Sequence, residues 1–197
     1  MSYMDLYKLW ANDPFFNEDT RAELKAIEGD EKEIEERFYK DLEFGTGGLR
    51  GVLGAGTNRM NIYTVAKASA GLAQFIISNG EEAMKKGVAV SYDSRHFSPE
   101  FAAVTASTLA SYGIKVYLSD ELRPVPMLSY SVRYFGAFAG VMITASHNPA
   151  KYNGYKVYGE DGGQVPPEAA AIILEAMDKY DDVRNVKMMS IEDAMAT

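Results

Sequence analysis

The chain has 197 residues, 47% hydrophobic and 24% charged, with 20 Lys and Arg against 28 Asp and Glu for a net charge of −8, and no cysteine. This is ordinary composition for a soluble globular protein, long enough for one ample domain with appendages. It excludes disulfides, thiolate nucleophiles and cysteine-ligated metals, has no apolar run of membrane-spanning length, and has no basic stripe for a nucleic-acid backbone.

The acidity is local. Residues 1–48 carry 13 acidic and 6 basic side chains, and the remainder 15 and 14. The first residues, Met1-Ser2-Tyr3-Met4-Asp5, lack a basic stretch followed by an apolar core, so a cytoplasmic location is expected. Residues 1–43 read as an acidic helical extension. Ile34 and Phe38 lie four apart on one face of a charged segment, which predicts a solvated helical hairpin packed on the main domain.

Alternation of strand and helix begins near Gly47. A strand is expected over Leu49–Leu53, then a helix over Thr64–Ser78 with Thr64 as its N-cap and Asn79-Gly80 as its stop. Val88–Tyr92 reads as a short buried strand. Ser98-Pro99-Glu100 starts the next helix with a capping serine, and Gly113 ends it. Strands follow at Ile114–Leu118, Ala137–Ile143 and Tyr155–Tyr158, with helices at Pro126–Tyr134 and Pro166–Tyr180. Asn148-Pro149 and Asn153-Gly154 read as bends. This alternation predicts a three-layer α/β/α domain over residues 44–180, with a mostly parallel or mixed sheet. Residues 181–197 have little pattern and read as a linker or the start of another domain.

Ligands of open α/β sheets bind beyond the carboxyl ends of strands. Two predicted strands end in polar loops, Tyr92-Asp93-Ser94-Arg95-His96 and Thr144-Ala145-Ser146-His147-Asn148-Pro149. A third polar segment, Gly45-Thr46-Gly47-Gly48-Leu49-Arg50-Gly51, presents one arginine in a glycine-rich turn. It is not a Walker loop, because no Gly-Lys-Ser/Thr follows. It is not a dinucleotide fingerprint either, because Arg50 stands where a glycine is required and residues 51–80 contain no acid. Ser146, Arg50, Arg95, two histidines and Lys156 together place cations around a hydroxyl, which suits an anionic substrate and phosphate above all. Arg59 is a further loop arginine, a phosphate contact or merely solvated. Asp93 either caps its turn or orients Arg95. A hydrolase pairing of Ser146 with His147 is disfavoured, since adjacent side chains in extended chain point to opposite faces and no Gly-x-Ser-x-Gly elbow is present.

Thr144-Ala145-Ser146-His147-Asn148-Pro149, followed by Tyr152-Asn153-Gly154-Tyr155-Lys156, resembles the active-site serine loop of the α-D-phosphohexomutases. Phe44-Gly45-Thr46-Gly47-Gly48-Leu49-Arg50-Gly51 is similar to that family's arginine motif, and Tyr92-Asp93-Ser94-Arg95 to its Asp-x-Arg motif, in the same order. The wording is most like the phosphoglucomutase and phosphopentomutase branch. The resemblance implies a phosphoryl carrier at Ser146 and interconversion of sugar 1-phosphate and sugar 6-phosphate, glucose first, through a bisphosphate that also serves as activator. Phosphomannomutase and phosphopentomutase remain alternatives, as does a non-catalytic phosphosugar-binding module.

The same resemblance implies proton transfer and phosphoryl stabilisation by His147 and Lys156, with Arg50 catalytic. Arg95, Asn148, Thr144 and Arg59 would position the phosphate. It also implies Mg2+ bound partly through the phosphate on Ser146. The family's Asp-x-Asp-x-Asp metal loop and its sugar-binding loops do not occur here. The expectation is therefore a first domain whose second, third and fourth domains supply them, and which alone is inactive.

Overall fold

The apolar runs Val88–Tyr92 (β3) and Ala139–Ile143 (β5) form the centre of the sheet and pair in parallel, Val90 opposite Val141. All five residues of β5 are buried, as expected of a strand covered on both faces. The structure is a computed structural model that describes residues 1–45 and 47–196; Thr46, inside the glycine-rich turn, and Thr197 lie outside the described residues. The other strands are Phe44–Gly45 (β1), Gly48–Val52 (β2), Val116–Leu118 (β4) and Tyr152–Gly159 (β6). Among the described residues the sheet order is β1-β2-β6-β5-β3-β4. β4 joins β3 in parallel, whereas β6 runs antiparallel to both β5 and β2. The sheet is therefore mixed.

Helices Ile62–Ser78 (α4), Ser98–Ser111 (α6) and Pro167–Asp178 (α8) cover one face, where Leu72, Leu109 and Ile173 meet Val90, Val141 and Tyr155. Val125–Phe135 (α7) covers the other, with Leu128 and Val132 against Met142 and Tyr158. Consecutive strand residues divide between the layers, Tyr155 and Val157 to the first and Tyr158 to the second. This is the expected three-layer α/β/α arrangement.

Several local expectations are corrected. The N-terminal segment is not a hairpin but three helices, Tyr3–Asn12 (α1), Glu18–Ala26 (α2) and Glu31–Phe38 (α3). Asp13-Pro14 breaks the first, and Asn17 caps the second. Trp10, Phe16, Leu24, Ile34 and Phe38 bury themselves with Ala55 and Tyr63 of the main domain, and Trp10 stacks on Phe16 at 4.4 Å. The acidic face is only the outside of a packed unit. The N-cap of α4 is Asn61, whose side chain accepts from Tyr63 and Thr64, while Thr64 returns the bond to the Asn61 amide. Ser98 is the first residue of α6 rather than its cap; Phe97 holds that place with φ +63° and no capping side chain. Asn153-Gly154 is not a bend but lies inside β6, opposite Arg50 and Gly51 of β2. Sequence patterning also missed the short helix Glu81–Lys86 (α5), a 3-10 turn at Val183–Asn185 and Ile191–Ala196 (α9).

Further contacts fasten the N-terminal unit. The loop after β2 approaches α3 so closely that a Cβ on Gly56, which has φ +131°, would stand 2.7 Å from the Arg37 carbonyl oxygen. Farther on, Arg184 donates to Asp13 at 2.7 Å and also pairs with Asp182, which holds the Asp182 carboxyl below its usual range. Among the described residues no helix is long and apolar enough to cross a membrane.

Candidate active site around Ser146

β5 delivers its chain to the edge of the sheet, and Thr144 and Ala145 are still buried when the backbone turns at Ser146. Ser146 has φ +57°, the left-handed region that L-residues enter only at a cost. Such strain concentrates where the surroundings hold a group in place for use. The Ser146 amide donates to Thr144 Oγ1 at 3.0 Å, and the Asn148 amide to the Ala145 carbonyl at 3.1 Å. The Ser146 side chain is left exposed at the tip. Its Oγ lies 3.3 Å from His147 Nδ1. The expectation that these two side chains diverge is thus incorrect. It assumed extended chain, and the left-handed turn brings them to one side.

Arg95 holds the loop from the β3 side. Its Nη2 donates to the carbonyl oxygens of Ser146 at 2.7 Å and Asn148 at 2.6 Å, and its Nη1 to those of Pro149 at 3.1 Å and Tyr152 at 3.0 Å. One planar guanidinium thereby fixes four peptide groups, which a lysine cannot do. Asp93 fills both roles left open for it: Oδ1 accepts from the Arg95 amide and from Ser98 Oγ, each at 3.0 Å, and Oδ2 faces Arg95 Nε at 3.7 Å.

Arg50, on β2, reaches Asn148 Oδ1 with Nη1 at 3.3 Å. Lys156, on β6, sits opposite Gly48 of β2 and Met142 of β5, and its side chain has no ion pair or hydrogen bond among the described residues. An open cleft of about 570 Å³ contains Arg50, Thr144, Tyr152 and Lys156 on one side. A second hollow of about 360 Å³ holds Asp93, Arg95, His96, Ser146 and Asn148. The serine loop therefore separates two hollows, one bearing Arg50 and Lys156, neither with an acid partner among the described residues, and the other the clamp.

Arg59 lines the same cleft as Arg50 and Lys156 but is neutralised there by glutamates. It is buried, and its guanidinium pairs with Glu36 and with Glu33, the latter at 3.3 Å. It serves the junction with α3 rather than the serine loop. Sequence reading also missed Asn153. Fully buried, it donates to the His96 carbonyl at 2.9 Å and to Ser98 Oγ at 3.0 Å, tying β6 to the loop after β3. Gly154 beside it is required by close approach, since a Cβ there would stand 2.6 Å from the Thr144 carbonyl oxygen and 2.8 Å from that of Leu49. Beneath the site, burial pushes the Tyr155 phenol far up, so it stays neutral there. Among the described residues no three His, Asp or Glu side chains are placed to hold a metal.

The sequence profile described as "Phosphoglucomutase/phosphomannomutase, alpha/beta/alpha domain I" matches residues 41–184. The phosphoglucomutase of Staphylococcus epidermidis RP62A is 46% identical over 160 residues, which are 81% of this chain and 29% of that protein. That of Staphylococcus haemolyticus is 43% identical over 141 residues, 72% of this chain and 25% of that protein. A crystal structure assigned to a phosphomannomutase of Thermus thermophilus superposes with a TM-score of 0.63 at 32% identity, covering 70% of this chain and 30% of that one. The chain thus spans under a third of the length of the relatives it matches. With its mixed sheet between two helical layers and its serine and arginine loops in the expected order, this chain belongs to the phosphoglucomutase/phosphomannomutase family, whose α/β/α domain I it contains.

Proposed function

We propose that this chain is the phosphoryl-carrying part of a phosphoglucomutase-type enzyme, interconverting glucose 1-phosphate and glucose 6-phosphate through a bisphosphate, with Ser146 as the carrier. One observation supports this above the rest: an exposed serine hydroxyl on a left-handed turn, with its backbone clamped by Arg95 and with Lys156 and Arg50 in the adjoining cleft. Phosphoryl transfer needs alignment and charge neutralisation more than covalent help. In the proposed step a sugar hydroxyl oxygen bonds to the phosphorus on Ser146, the bond from phosphorus to Oγ breaks, and the hydroxyl proton passes by way of His147 to Ser146 Oγ. Lys156 and Arg50 neutralise the moving group. Arg95, Thr144 and Asn148 hold the loop in place.

The family implies Mg2+ and a sugar bisphosphate activator. Without an acidic cluster among the described residues, this chain would offer the metal little beyond a phosphate oxygen on Ser146. The metal cage and the sugar grip are proposed to come from companion domains, with residues 44–180 acting as domain I, residues 1–43 as its helical extension, 181–197 as the connector, and the whole in the cytoplasm.

Incubation with glucose 1,6-bisphosphate followed by peptide mass spectrometry tests the reading. The expected result is one phosphoryl group on the peptide containing Ser146, absent from Ser146→Ala. An unmodified peptide overturns it. If Ser146 reacts instead with a fluorophosphonate, the 3.3 Å contact with His147 belongs to a hydrolase. With glucose 1-phosphate, Mg2+ and bisphosphate, this chain alone is expected to show negligible turnover.

A further inference from the structure

Among the described residues, two that are not glycine have left-handed backbone: Ser146, and Phe97 at φ +63°. At Ser146 the strain presents a hydroxyl. Phe97 caps α6 without a capping side chain and leaves its ring 55% exposed, so its own side chain does little to offset the strain. Its neighbours supply the reason. The His96 carbonyl and Ser98 Oγ both accept from Asn153 Nδ2, at 2.9 Å and 3.0 Å. The left-handed turn at Phe97 brings these two acceptors to one donor.

The bonds continue from there. Ser98 Oγ donates to Asp93 Oδ1 at 3.0 Å, and the same carboxylate oxygen accepts from the Arg95 amide at 3.0 Å. Asp93 Oδ2 faces Arg95 Nε at 3.7 Å. Arg95 Nη1 donates at 3.0 Å to the carbonyl of Tyr152, the residue before Asn153. The circuit closes on itself. It joins the loop after β3 to the start of β6, and β5 lies between those strands, so it passes over the end of β5 where the serine loop leaves. Ser98 and Asn153 are fully buried, and in such a network the loss of one member leaves the next without a partner. The other nitrogen of the guanidinium, Nη2, holds the Ser146 and Asn148 carbonyls.

We infer that Asn153 and Ser98 are positioning residues for phosphoryl transfer at Ser146. Through Asp93 and the Tyr152 carbonyl they set the plane of the Arg95 guanidinium, and that plane sets the direction in which Ser146 presents its hydroxyl. The inference rests on the reading of Ser146 as phosphoryl carrier and goes beyond it. Neither residue touches the reacting atoms, so both act on rate through alignment and not on affinity.

The test compares this chain with its Ser98→Ala, Ser98→Thr and Phe97→Gly variants. Peptide mass spectrometry follows phosphorylation of Ser146 against the concentration of glucose 1,6-bisphosphate. Nitrogen NMR follows the Arg95 guanidinium, whose two Nη groups give separate resonances only while hydrogen bonds stop their rotation. Ser98→Ala is expected to lower the saturating rate roughly tenfold, to leave the half-saturating concentration within about twofold, and to merge the Nη resonances. Ser98→Thr, which keeps the hydroxyl, is expected to restore both rate and resonances. Phe97→Gly is expected to keep the resonances separate and to raise the denaturation midpoint, since glycine accepts the left-handed turn. Separate resonances or an undiminished rate in Ser98→Ala overturn the inference, as does a loss confined to the half-saturating concentration. Merged resonances in the unsubstituted chain overturn it without any variant. Failure of the carrier reading shows elsewhere, as an unmodified Ser146 in the unsubstituted chain, so the two failures are distinguishable.

Discussion

Arg95 donates to the carbonyl oxygen of Ser146 at 2.7 Å. The residue that presents the hydroxyl is therefore gripped by its own peptide, and its side chain is left exposed. The sequence places them 51 residues apart, on loops following different strands. Clamp and carrier are separate functions here, and they fail differently.

Replacing Arg95 with lysine keeps a charge but loses the fork. The expected loss of stability is about 2–4 kcal/mol, since several charge-assisted bonds go and four carbonyls need other partners. Urea denaturation measures it. A loss below about 0.5 kcal/mol would mean that the loop holds itself.

Ser146→Gly removes the penalty of a left-handed L-residue, worth about 1 kcal/mol, while abolishing the hydroxyl. Stability is expected to stay level or rise, and phosphorylation to vanish. A clear fall in the denaturation midpoint would show that the contact of Oγ with His147 outweighs the backbone strain.

Gly154→Ala places a methyl against two backbone oxygens, neither of which swings aside like a side chain. A cost of about 3 kcal/mol is expected, with β6 displaced from β2. Hydrogen exchange at the Leu53 and Val157 amides, which donate across to the Lys151 and Gly47 carbonyls, reports the separation. Native protection in the variant would contradict the packing described.

The Tyr112 phenol, part-buried and hydrogen-bonded to Tyr180 at 2.8 Å, is pushed up to about 12 by burial first and by that bond second. A raised tyrosine stabilises the fold fully below its unfolded value near 10, and that contribution is lost as pH climbs from about 10 to about 12. Tyr112→Phe is expected to flatten the stability curve in that window. Ultraviolet difference titration in the folded protein checks the assignment, and ionisation of Tyr112 at its ordinary unfolded value would refute it.

The sheet was legible because β3 and β5 are short apolar runs with breakers at each end. The ends of β6 were not, because Asn153-Gly154 has turn chemistry when read alone. It lies in a strand because Asn153 finds partners at His96 and Ser98 and Gly154 fits between two carbonyls. The serine and arginine loops were legible as chemistry. The division of labour among the arginines was not: what separates Arg59 from Arg95 is whether the partners are glutamates of α3 or the carbonyls of the serine loop, and both sets are distant in sequence. The nearness of His147 to Ser146 depended on one φ angle that the residue types do not announce.

β6 has β2 on one side and β5 on the other, with Lys156 facing Gly48 and Met142 at once. It acts as a ruler with two scales, since one alignment sets the lysine's distance to the arginine strand and to the strand that carries the serine. A single residue inserted or deleted after Tyr152 would exchange the two sides of the strand, turning Lys156 out of the cleft and lifting the fully buried Tyr155 out of the core. A change of length within residues 147–151 would spare that alignment but break the Arg95 clamp, which holds the carbonyls of Asn148 and Pro149.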